Sequence, residues 1–179
     1  MNKLPKILQQ KIVAESKLFK IEEMQLQFSN GNERTYERLV SRRHGAVLIV
    51  PLLDPETLLL IREYCGGTGR YEISFPKGII DDGESKVEAA NRELMEEVGY
   101  GAKKLTILKD MSASPGYWGG QATVIIAQDL YPKTLAGDEP EPLEVIPWQI
   151  KDYRSLLNRD DFTEARSIAA LLWIKEIFS

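Results

Sequence analysis

A chain of 179 residues with 43% apolar side chains can bury one sizeable core and is too short for several independent domains. Its formal charge of -4, from 27 acidic and 23 basic side chains, gives no global attraction for nucleic acid or an anionic membrane, so an anionic substrate would need local cations. One cysteine, Cys65, excludes an intrachain disulfide and a multi-cysteine zinc site and suits a reducing compartment.

From the N-terminus, Lys3, Lys6, Lys11, Glu15, Lys17 and Lys20 interrupt every apolar run before a signal-peptide core can form, and no later run is long enough to span a bilayer. These features predict a cytoplasmic protein. Asn30-Gly31 between the strand-like runs Ile21–Phe28 and Arg34–Val40 predicts a β-hairpin. A lone hairpin is marginal in water, so this one should pack on the main domain or on a second subunit. The composition thus divides into a β-rich N-terminal extension over 1–42 and a main domain over 43–179.

The main domain opens with two apolar runs, Ala46–Leu52 and Leu58–Arg62, joined by an Asp54-Pro55 turn. They read as central strands buried on both faces. Further strands are expected over Tyr71–Phe75, Leu105–Met111 and Ala122–Ala127. Ser85–Val98 reads as a helix, with the capping box Ser85-x-x-Glu88 at its start and Gly99 at its end. A short helix near Lys151–Asn158 and a longer one over Thr163–Phe178 follow. The pattern predicts an α/β (α+β) fold, with layered α/β/α packing around a mixed sheet.

The chemistry is concentrated between Gly78 and Tyr100. On a helix, Glu93, Glu96 and Glu97 stand at i, i+3 and i+4 and share one flank, while Val87, Ala90, Leu94 and Val98 form a separate apolar stripe. Clustered carboxylates repel unless cations lie between them, and such oxygen ligands suit Mg2+ or Mn2+. Arg92 is spaced to reach both Glu88 and Glu96 and should fix their orientation. On helix composition alone, a solvated acidic face is the competing reading. A calcium loop is excluded, because Gly83 at its sixth position would put Gly78, Ile80 and Ala89 at ligand positions.

Gly78, Glu84 and Arg92-Glu93-Leu94-x-Glu96-Glu97-x-Gly99-Tyr100 resemble the complete Nudix box in every defining residue and spacing. That resemblance implies a loop-helix-loop in an α/β/α sandwich, with Glu93, Glu96 and Glu97 as ligands of activating divalent ions, Mg2+ or Mn2+. It adds the backbone carbonyl of Lys77 as a further ligand. Ile61–Tyr64, Gly67-Thr68, Tyr71-Glu72, Gly137–Pro142 and Glu164–Arg166 resemble the ADP-compounds hydrolase branch of the ADP-ribose pyrophosphatase group. This implies a pyrophosphohydrolase acting on ADP-ribose, diadenosine polyphosphates and NADH, as a homodimer through the N-terminal β region. Such enzymes take a water-activating or metal-assisting glutamate from the acidic loop, here Glu139 or, second, Glu141. Ser114–Gln121 begins like the ADP-ribose pyrophosphatase motif and lacks the glutamate that usually follows, which argues against strict ADP-ribose specificity.

Arg62, ending an apolar strand, is the first candidate phosphate ligand, with Arg38 and Arg70 behind it; an ion pair with a nearby carboxylate is the competing role for Arg62. Tyr71 is the first candidate to stack on adenine, ahead of Tyr64, Tyr117 and Trp118. His44 and Cys65 have no partner in a hydrolase motif, and Gly66–Gly69 is not a P-loop. Coenzyme A, a nucleoside triphosphate or an RNA cap is the rival substrate class, and a non-catalytic nucleotide sensor the rival protein class.

Overall fold

The computed structural model describes residues 3–40 and 44–178, and the chain divides into two compact units, Met1–Arg43 with Ser112–Gly120 and His44–Met111 with Gln121–Ser179. The first unit is a three-stranded antiparallel sheet of β1 (Lys6–Glu15), β2 (Lys20–Gln27) and β3 (Glu33–Leu39), in that order. The predicted hairpin is β2-β3, turning through Gly31 at φ 84°, a conformation glycine adopts without a Cβ penalty. Strand β1 is an addition to the expected hairpin: its apolar residues fall in pairs (Ile7-Leu8 and Ile12-Val13) rather than alternating, so the sequence carries no period-two signal.

The second unit is built on β4 (Ala46–Asp54), β5 (Thr57–Cys65), β6 (Arg70–Ser74), β7 (Lys77–Ile79), β8 (Tyr100–Ser112), β9 (Gln121–Pro132) and β10 (Glu144–Gln149). Its sheet runs β10-β5-β4-β9-β8, with β6 on β5 and β7 on β4. β4 pairs parallel with β9 and antiparallel with β5 and β7, so the sheet is mixed as expected. Helix α1 (Lys86–Glu97) lies between β7 and β8, and α2 (Tyr153–Leu157) and α3 (Ala165–Ile177) follow β10.

Alternation along the central strands produces two cores. Val47, Ile49, Leu59, Ile61, Ile125 and Ala127 point to one face and pack with Ala90 and Leu94 of α1. Leu48, Val50, Leu58, Leu60, Val124 and Ile126 point to the other and pack with Leu156, Leu171 and Ile174 of α2 and α3. Each central strand is therefore hydrophobic on both faces, and the α/β/α sandwich follows from helices covering each side. The C-terminal helix begins two residues later than expected, with the Glu164 side chain accepting from the Ser167 amide at its N-terminus.

Two strands of this sheet escape sequence reading. β7 has only three residues, and β10 contains Pro147, which breaks a strand pattern. Pro147 is tolerated because β10 is the edge strand, paired on β5 alone. Among the described residues no helix is long and apolar enough to cross a membrane.

Candidate active site

Helix α1 is positioned from both ends. The Ser85 side chain accepts from the Glu88 amide and the Glu88 carboxylate accepts from the Ser85 amide at 2.9 Å, closing the predicted capping box. Past the C-cap Val98, Gly99 turns the chain at φ 78°. Ala89, Ala90 and Leu94 are fully buried, which fixes the helix's rotation and puts Glu93 and Glu97 against the sheet with only 8% and 7% exposure.

Burial without adequate counter-charge is written into their proton affinities. Desolvation pushes the Glu93 carboxyl up to about 7 against the opposing pull of Arg92, and the Glu97 carboxyl up to about 8 against that of Lys77. Arg92 is the organiser. Its Nε and Nη2 donate to the two oxygens of Glu84 at 3.0 Å each, its Nη1 to Glu93 at 2.7 Å and Glu96 at 3.0 Å, and its Nη2 to the Ile79 carbonyl at 2.9 Å. Hydrogen bonds to Glu84 above all raise the affinity of Arg92 for its proton. The expected Arg92 contact to Glu96 is present; Glu88, predicted as its other partner, caps the helix instead, and Glu84 takes its place.

Lys77, the first residue of β7, donates its amide to Glu97 at 3.0 Å, while its ammonium lies 2.6 Å from Glu63 and 3.1 Å from the Ser74 hydroxyl. A Cβ on Gly78 would collide with the Glu93 carboxylate, so the glycine that opens the motif is required for close approach of strand and helix. Gly137 does the same in the acidic loop: a Cβ there would fall 2.5 Å from Glu139 Oε2 and 3.6 Å from Glu96 Cβ, so Glu139 shares the box helix's space. Its charge contributes to raising Glu93.

Among the described residues no three His, Cys, Asp or Glu side chains are grouped as a ready-made cation cage, and Arg92 bridges Glu93 and Glu96. The donor set nevertheless fits a hard divalent cation. It offers oxygen ligands only, carries acid in excess of base, and holds Glu93 and Glu97 where burial disfavours their ionised forms unless positive charge is supplied.

The other candidates lie in different settings. Arg62 donates from Nε to Glu144 and from Nη1 to Asp161, both at 2.7 Å, so the ion-pair role holds its guanidinium in this structure. Arg70 binds Glu72 at 2.7 Å and the Asp160 carbonyl at 2.8 Å. Arg38 belongs to the N-terminal unit and binds Glu22 at 2.7 Å. Tyr71 is half exposed, edge-on to Tyr64 at 5.6 Å, and donates its hydroxyl to Glu141. Glu63 and Gly137 lie in segments that carry the family resemblance, but their roles beside Lys77 and Glu139, and that of Ser74, follow only from the fold; the charge of Glu63 inside a strand is the one sequence signal.

The sequence matches the NUDIX domain over residues 42–171 and the NudE-type Nudix hydrolase N-terminal domain over residues 5–38. The chain belongs to the Nudix hydrolases. This Nudix hydrolase is 51% identical over 172 residues to the ADP compounds hydrolase NudE of Escherichia coli (strain K12), covering 96% of the chain and 92% of that relative. It is 26% identical to the ADP-ribose pyrophosphatase of Bacillus subtilis (strain 168), covering 95% of each. A crystal structure of an ADP compounds hydrolase superposes with a TM-score of 0.93 at 49% identity, over 99% of this chain and 95% of the other. Nudix hydrolases generally use a divalent metal, which agrees with the donor chemistry of α1.

Proposed function

We propose that this Nudix hydrolase cleaves the diphosphate of ADP-linked compounds, among them ADP-ribose, NADH and diadenosine polyphosphates, to AMP and a phosphorylated second product. The observation that carries the reading is the acid excess of α1, buried and incompletely compensated, in a chain half identical to an ADP compounds hydrolase. Glu93, Glu96 and Glu97 would hold the divalent ion, which we take to be Mg2+ with Mn2+ as a substitute, and the Lys77 carbonyl completes the set. When bound, the ion neutralises the diphosphate and acidifies water.

The chain's own residues do the rest. Arg92 sets the rotamers of Glu93 and Glu96 through its fork of donors, and Gly78 lets Glu93 meet the strand. Glu139 accepts a proton from the attacking water, with Glu141 as second choice. The water oxygen bonds to one phosphorus in line with the bridging oxygen, the P–O bridge bond breaks, and the other phosphate leaves with the electron pair. The exposed face of the Tyr71 ring offers adenine a stacking surface. Arg62, Arg70 and Arg38 pair with Glu144, Glu72 and Glu22, so a phosphate would have to compete with those carboxylates for their guanidinium groups.

Incubation with ADP-ribose, NADH, diadenosine triphosphate, coenzyme A, a nucleoside triphosphate and a capped RNA, each with Mg2+ and with chelator, tests the substrate class by mass spectrometry. Metal-dependent AMP from the first three is expected. Cleavage confined to the last three would replace the class, and binding of ADP-ribose without cleavage would make the chain a sensor.

We also propose that the protein works in the cytoplasm as a homodimer through the N-terminal unit. Ile7, Leu8, Ile12 and Val13 are exposed on β1, and an apolar strand at a sheet edge calls for a covering partner. Light scattering should give twice the mass of one chain, and Ile12→Lys with Val13→Glu should return it to one; an unaltered dimer would place the interface elsewhere.

A further inference from the structure

We propose that Tyr71 is a positioning residue for the hydrolysis, its phenol tethering the acidic loop so that Glu139 faces Glu96. The inference rests on the water-activating role assigned to Glu139.

Residues 133–143, between β9 and β10, have no regular secondary structure. Their first part is held to the end of α1, the Lys133 amide donating to the Gly99 carbonyl at 3.0 Å and the Leu135 amide to the Met95 carbonyl at 3.1 Å. Beyond Leu135 the chain must cross to β10, whose Glu144 pairs with Arg62 on β5. Glu139 sits in the middle of that crossing, on the stretch least constrained by backbone bonds to the rest of the unit.

Tyr71 supplies the constraint. Its hydroxyl donates to Glu141 Oε1 at 2.5 Å, linking β6 to the loop two residues from Glu139. Pro140 and Pro142 flank Glu141 and lock φ on either side, so fixing Glu141 also restricts the backbone that carries Glu139. The ring itself is braced: Tyr71 stands opposite Tyr64 in the β5-β6 register, and the two rings meet edge-on at 70°. On the far side of Glu139, bare Gly137 leaves the space its carboxylate occupies beside Glu96. The Glu141 contact also raises the affinity of the phenol for its proton, so the donor persists through the neutral and mildly alkaline range.

This role separates from adenine stacking, because a phenylalanine keeps the ring and loses the hydroxyl. Tyr71→Phe is expected to lower kcat about three- to tenfold, the worth of one partly exposed hydrogen bond, with KM little changed. Peptides spanning 133–143 should exchange amide hydrogens faster in the same variant. Glu141→Gln keeps an acceptor for the phenol and should keep native amide exchange over 133–143. Glu141→Ala should match Tyr71→Phe, and the double variant should lose no more than either single one. Native kcat and native loop exchange in Tyr71→Phe would overturn the tether. A raised KM at unchanged kcat would instead make Tyr71 a substrate contact, and loop exchange in Glu141→Gln as fast as in Glu141→Ala would show that the phenol does not hold the loop through this acceptor; both contradict the proposal. Full activity in Glu139→Gln would overturn the role of Glu139 and the catalytic half of the proposal, whereas unchanged loop exchange in Tyr71→Phe would overturn the tether, so the two failures are distinguishable.

Discussion

Two clusters of charge in the same unit are built to opposite rules. Around Asp161, the guanidinium groups of Arg62 and Arg159 approach to 2.7 Å and hold its carboxyl well below the usual carboxylate range, first through the Arg159 hydrogen bond. Around α1, Glu84, Glu93, Glu96 and Glu97 share Arg92 and the more distant Lys77, and burial wins at Glu93 and Glu97. The first cluster ties β5 and β10 to the segment before α3 with its charges matched. The second leaves buried carboxylates incompletely matched on a helix closed by a capping box. Such an imbalance costs stability, and it persists where a positively charged ligand completes the set.

Removing function from the second cluster should cost turnover, and removing charge from the first should cost stability. Glu139→Gln should lower kcat by about a hundredfold or more with KM little altered, the range of a lost general base; steady-state kinetics on ADP-ribose decides it, and native kcat would transfer the role to another group. Arg92→Lys should lower kcat about tenfold, because an ammonium cannot bridge Glu84, Glu93 and Glu96 together. A variant as active as the parent would show that Arg92 only balances charge. Asp161→Asn should cost about 1–2 kcal/mol in urea unfolding at neutral pH. The pH dependence has a definite sign: the folded-state proton affinity of Asp161 is depressed, so its contribution is present above the unfolded value near 3.8 and is lost as pH falls toward the folded one. The parent should therefore lose stability relative to Asp161→Asn below about pH 4; parallel curves would remove Asp161 from the account.

The same contrast explains what the sequence reveals. The α1 site is legible because its parts are local: Ser85 with Glu88, Arg92 with Glu96, and Gly99 at the end all act within a few residues of one another. Central strands β4 and β5 are legible because burial on both faces leaves unbroken apolar runs. Arg62 could be placed at a strand end but its role could not be fixed, since Glu144 and Asp161 lie 82 and 99 residues away in sequence. Strand β1 is hidden by its doubled apolar residues, β10 by Pro147, and the Tyr71–Glu141 contact by a separation of 70 positions along the chain. Ser112–Gly120 belongs with the N-terminal strands although His44–Met111 separates them along the chain, and the backbone bond from the Leu39 amide to the Tyr117 carbonyl joins them.

If the unmatched carboxylates of α1 serve metal-dependent cleavage, removing one charge without removing volume should stop turnover and spare the fold. Glu97→Gln tests it most directly: the amide oxygen can still accept from the Lys77 amide, so the fold is retained while the charge is lost. With ADP-ribose and Mg2+, the parent should release AMP and ribose 5-phosphate. The variant should turn over about a hundred to a thousand times more slowly and, in chelator, melt at a higher temperature than the parent. Native turnover in Glu97→Gln, with the same dependence on Mg2+, would contradict the account.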